Sequence, residues 1–167
     1  MWAYVYLGTP LKEGAKVNAP ASEFGGVTAP QAAAGGGHLP IVEWLLEEGA
    51  EVNGPVPPYE RRTTPQAAAG GGHLLILECL LKEGAEVNAL AAKYSGRALL
   101  QAAAEGKHLC IVERLLKEGA EVNACASWSL GGATAASAAA ENGHIAVVEC
   151  LRLAVAKYCG GRKGIGE

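Results

Sequence analysis

The nine residues QAAAGGGHL begin at Gln31, return unchanged at Gln66, and return at Gln101 as QAAAEGKHL. A second block, LLEEGAEVN from Leu45, becomes LLKEGAEVN from Leu80 and from Leu115, with a shorter relative, LKEGAKVN, from Leu11. Gly14, Gly49, Gly84 and Gly119 are spaced 35 residues apart. His38, His73 and His108 keep that interval, and His144 follows after one inserted residue. Low-complexity sequence does not hold register in this way. A fixed period of this size means stacked units, each one supersecondary element that cannot bury its apolar face alone.

Each unit reads alike. Thr28, Thr63 and Thr134 precede Ala-rich runs, where a hydroxyl can accept from the free N–H groups of a first helical turn. Pro30 and Pro65 fall within that turn, where the missing N–H costs little. The run ends at glycine. A second segment follows, with Leu74, Leu77, Leu80 and Leu81 on one helical face and Ile76 alongside. Gly84 supplies the stop, because positive φ is cheap for glycine. The pattern predicts helix pairs near residues 28–48, 63–83, 98–118 and 134–157, after an N-terminal half-unit. Leu45, Leu46, Leu80, Leu81, Leu115 and Leu116 are expected in the core, with Leu81→Ala costing about 2–5 kcal/mol. Gln31, Gln66 and Gln101, polar beside close-packed alanines, are expected to bond backbone groups in the adjoining turn.

Aromatic residues make up only 5% of the chain, so the core must come from Leu, Ile, Val and Ala. The net charge of −3 gives no basic surplus for nucleic acid or an anionic membrane. The first ten residues lack the basic flank and length of a signal peptide. No apolar run approaches the roughly 20 residues of a membrane span. The five cysteines follow no paired spacing, which points to reduced thiols in a cytoplasmic or nuclear compartment.

The stretches TAPQAAAGGGH, TTPQAAAGGGH and RALLQAAAEGKH, followed by LLEEGAEVN and LLKEGAEVN, resemble the ankyrin repeat over nearly the whole chain. The resemblance implies an all-α solenoid of stacked helix pairs with projecting β-turn or loop fingers. It divides the chain into a degenerate half-repeat at 1–18, repeats at 19–53, 54–88, 89–123 and 124–158, and a flexible tail at 159–167. Departures from the family pattern include the 35-residue unit, Ala98 for the capping Thr, Gln or Ser137 where His is usual, and Glu51, Glu86 and Glu121 for the turn Asp. The wording looks like long arrays of filamentous fungi. Pro10 falls where a core Leu belongs, so residues 1–13 are expected to exchange amide protons faster than residues 98–118. Arg152 stands at an equivalent core position, so the ends read as those of a fragment or degenerate copy of a longer array.

The resemblance implies a non-catalytic module that binds a partner protein, as a monomer or as part of a longer chain. The second reading is a structural or vestigial segment without binding activity of its own. No cofactor, metal, nucleic acid, membrane or small-molecule substrate is expected. The four histidines recur one per unit, a pitch near 10 Å by helix-packing distances. That is too wide for one metal ion with donors about 2 Å away. Cys79 and Cys150 share a helix site with Trp44 and Arg114, and Cys110 is placed on the outer side of its helix. A second period runs through the variable segments: Phe24, Tyr59 and Tyr94 are 35 residues apart and Trp128 follows at 34, with Arg61, Arg62, Lys93 and Arg97 nearby. Each ring can cover the base of its own finger. Rings at a 10 Å pitch also leave slots that partner side chains could fill, and Tyr, Trp and Arg are the usual interface anchors.

Overall fold

A computed structural model describes residues 16–20, 26–54, 62–89, 97–124 and 133–160, with side chains through Lys157. The described residues form four helix pairs and no strand: α1 (Ala29–Gly35) with α2 (Leu39–Glu47), α3 (Thr64–Gly71) with α4 (Leu74–Lys82), α5 (Leu99–Glu105) with α6 (Leu109–Lys117), and α7 (Ala135–Glu141) with α8 (Ile145–Gly160). The first helices α1, α3, α5 and α7 stack in one row, and the second helices α2, α4, α6 and α8 pack behind them. The expected all-α solenoid is what forms.

Three of the first helices open on a reciprocal cap. The Thr28 hydroxyl accepts from the Gln31 N–H while Gln31 Oε1 accepts from the Thr28 N–H at 3.0 Å. Thr63 and Gln66 repeat it, as do Thr134 and Ser137. This satisfies two orphan donors at once. The Gln66 amide also donates to the Arg97 carbonyl of the next unit at 2.7 Å, so the expectation of turn bonding holds for Gln31 and Gln66. Gln101 differs. Ala98 offers no hydroxyl, and Gln101 Oε1 is buried without a hydrogen-bond partner.

The second helices end on a two-bond glycine cap. Gly49, Gly84 and Gly119 sit at φ +87°, +86° and +82°. The Ala50, Ala85 and Ala120 N–H groups reach back to the Leu45, Leu80 and Leu115 carbonyls at 2.8, 2.9 and 2.9 Å. These alanines are themselves buried, so the turn closes onto the core. Val155 stands at the corresponding position of the fourth unit, and α8 runs on to Gly160. The helix thus continues two residues into the tail expected at 159–167.

The Ala runs are the floor of the stack. Ala34, Ala68, Ala69, Ala103, Ala104 and Ala139 are fully shielded, and side chains this small let one unit's backbone nest on the next. Of each leucine pair only the first is core: Leu45, Leu80 and Leu115 are buried, whereas Leu46, Leu81 and Leu116 are half-buried at its edge. Neighbours on a helix point about 100° apart, so both cannot face the first helix. The expectation of a fully buried Leu46, Leu81 and Leu116 is therefore corrected. The same phase explains Arg152. It belongs to the edge column, while the core position of α8 is held by Leu151, which is buried. Arg152 turns outward and donates to Glu149 at 2.7 Å. The expectation about residues 1–13 lies outside the described residues.

Candidate partner-binding surface

Two ladders of side chains tie unit to unit. Asn18, Asn53 and Asn88 each bridge to the following turn. The amide donates to the carbonyl of Gly49, Gly84 or Gly119 at 2.9, 2.8 and 3.0 Å. Its oxygen accepts from the N–H of Glu51, Glu86 or Glu121 at 2.9, 3.0 and 2.9 Å. Both backbone groups lie at the glycine cap, where orphan carbonyls need partners. The period of the motif ending in Val-Asn was visible in the sequence, but this role for Asn was not read from it.

The histidines form the second ladder. Nε2 of His73, His108 and His144 lies 3.1, 3.2 and 2.9 Å from the carbonyl of Gly35, Gly70 and Glu105, at the end of the preceding unit's first helix. The Nε2–H tautomer donates there. The rings also crowd the last glycine of each triplet, which sits at positive φ. A Cβ at Gly37 would stand 2.6 Å from the His73 ring, and one at Gly72 would stand 2.5 Å from the His108 ring. Lys107 holds the same position in the third unit and takes φ +62°. The structural role read for the histidines is what these bonds give them. Among the described residues no group of three His, Cys, Asp or Glu side chains is placed to hold a metal ion.

Of the residues singled out for partner contact, Phe24, Tyr59, Arg61, Lys93, Tyr94 and Trp128 lie outside the described residues. Arg62 and Arg97 are described and occupy one column. Arg97 Nε lies 2.7 Å from Glu105 Oε1, an ion pair across its own first helix. In the second unit Gly70 replaces that glutamate, and the Arg62 guanidinium lies against it, with Nη1 2.8 Å from where a Cβ would stand. Arg62 is exposed. No acidic side chain among the described residues pairs with it.

On the opposite side, Arg114 of α6 reaches back to Glu78 of α4 at 3.5 Å and forward to Glu118. An open groove of about 730 Å³ runs along the seam between α6 and α8. Cys110 is exposed, as expected for the outer side of its helix, while Cys79 and Cys150 are half-buried. Burial raises the Cys79 thiol pKa, with a further push from Glu43. Burial and Glu113 do the same to Cys150. No helix among the described residues is long and apolar enough to cross a membrane.

The family pattern described as Ankyrin repeats (3 copies) matches residues 9–91, 31–126 and 66–159. No curated protein matches the chain at comparable significance. The overlapping matches run from residue 9 to residue 159 and coincide with the helix pairs, the glycine caps and the two ladders. The chain belongs to the ankyrin repeat family.

Proposed function

We propose that this protein grips a partner protein on the side of the array that carries the fingers and the facing ends of the first helices. Ankyrin repeats are generally protein–protein interaction modules and typically non-catalytic, which supports the reading at its coarsest level. The observation that carries it further is Arg62. Its guanidinium is exposed and has no acidic partner among the described residues, although Arg97 in the same column is held by Glu105. An exposed guanidinium without an acidic partner among the described residues, in a chain whose sequence repeats an aromatic residue near it once per unit, has the composition of an interface anchor.

The test is a pull-down from host lysate with the intact chain, compared with the Tyr59→Ala/Tyr94→Ala double variant and with Arg62→Ala. Partners lost by these variants at an unchanged melting temperature support the reading. A large fall in melting temperature returns the rings to packing. Undiminished retention of an identified partner moves the binding surface elsewhere.

A further inference from the structure

The second helices meet along three seams; the first and third both set a cysteine by a glutamate, Cys79 by Glu43 and Cys150 by Glu113, and only in the third are the flanking positions both alanine. At matching positions α4 carries Leu75, Cys79 and Glu83, and α6 carries Cys110, Arg114 and Glu118. Leu75 and Cys110 are exposed, while Cys79 lies near Glu43 and Arg114 near Glu78. The matching stripe of α8 is Ala146, Cys150 and Ala154, small at every step. In the second seam Arg114 bridges to Glu78 at 3.5 Å. In the third seam Glu113 occupies the Glu78 position and Cys150 the Arg114 position. The thiol cannot reach as a guanidinium does, so Glu113 has no cation partner among the described residues. The groove that remains is lined by Leu109, Leu116, Cys150 and Leu153, with Leu153 55% exposed. Its charged lining is Glu113 midway along α6, Lys117 at the end of α6, Lys157 toward the end of α8, and Glu149, which Arg152 already holds.

We infer that this groove is a second docking site, for an amphipathic helix of a partner protein. That helix places an arginine where Arg114 sits in the neighbouring seam. Its guanidinium pairs with Glu113, an aliphatic residue one turn away covers Leu116 and Leu153, and an acidic residue beyond meets Lys117 and Lys157. A groove between two helices suits a helical occupant. The molecule itself supplies the template in the bond between Arg114 and Glu78.

The site is independent of the finger side, and its test separates the two. A random dodecapeptide phage library is panned on the full chain and counter-selected on the Cys150→Arg chain. That variant rebuilds the Arg114 arrangement and closes the groove, at a position where the third unit already tolerates arginine. The expected survivors carry an arginine with an aliphatic residue three or four positions away. A synthetic copy of one should shift amide resonances of residues 109–117 and 146–157. Its affinity should fall about tenfold or more with Glu113→Gln or with citrulline in place of its arginine. It should be unchanged by Tyr59→Ala/Tyr94→Ala and by deletion of residues 161–167. The inference is overturned if no peptide prefers the unaltered chain over Cys150→Arg, if the survivors need no arginine, or if the shifts fall on α1, α3 and α5.

Discussion

Replacing Ala98 by Thr should stabilise the array, and the neighbouring units set the magnitude. Ala98 sits at φ −65°, ψ 153°, close to Thr63 at φ −63°, ψ 163°, so its backbone already has cap geometry. Both residues are half-buried, and the second unit accommodates the larger side chain. The added hydroxyl would accept the Gln101 N–H, as Thr63 accepts the Gln66 N–H at 3.2 Å. A cap of this kind contributes about 1 kcal/mol. The residue 98 N–H that would complete the box for Gln101 Oε1 is already present in Ala98, so no further gain is counted from that atom. The expected gain is therefore about 1 kcal/mol, with a rise of about 2–4 °C in melting temperature. Urea unfolding followed by far-UV circular dichroism measures it, with Thr63→Ala as the reciprocal control losing about 1 kcal/mol. An unchanged or lowered midpoint for Ala98→Thr, beside a clear loss for Thr63→Ala, would refute the reasoning.

Leu80→Ala should cost about 3–5 kcal/mol and Leu81→Ala only about 1–2, because the first side chain is fully enclosed and the second half-exposed; equal losses in denaturant unfolding would contradict the burial pattern. Asn53→Ala removes both bonds to the Gly84 turn and should cost about 1–2 kcal/mol, with faster amide exchange at Glu86; unaltered exchange there would show that the ladder is not holding the turn. At neutral pH a maleimide should label Cys110 before Cys79 and Cys150, as mapped by mass spectrometry, because Cys110 is exposed and the pKa of each of the others is raised by burial. A raised thiol pKa in the fold favours the native state at low pH, and that contribution fades once pH passes about 8.5, where the unfolded thiols ionise. The Cys79→Ser/Cys150→Ser variant should therefore lose less stability between neutral and alkaline pH than the parent, and an identical pH profile would rule this out.

The period, the helix pairs and their ends were legible because the signals are local. A Thr or Pro in a first turn and a glycine at a helix end act within about four residues, so they can be read without knowing what packs above. The reading of Gln31 and Gln66 succeeded for the same reason, since the cap spans three residues. Three features waited for the tertiary structure. The burial of Leu80 but not Leu81 depends on how far α4 is rotated against α3, and two adjacent leucines give no sign of that phase. The Asn and His ladders join residues 31 to 39 apart, so repetition marked these side chains as special without saying which carbonyl each would reach. The seam between α6 and α8 depends on three columns at once. Ala146, Cys150 and Ala154 look unremarkable in sequence, and that they line a groove with Glu113 while Arg114 pairs with Glu78 shows only once the helices are stacked. Local chemistry fixed each unit, and the surfaces between units arose from stacking, where partners are set by geometry across a full period of the chain.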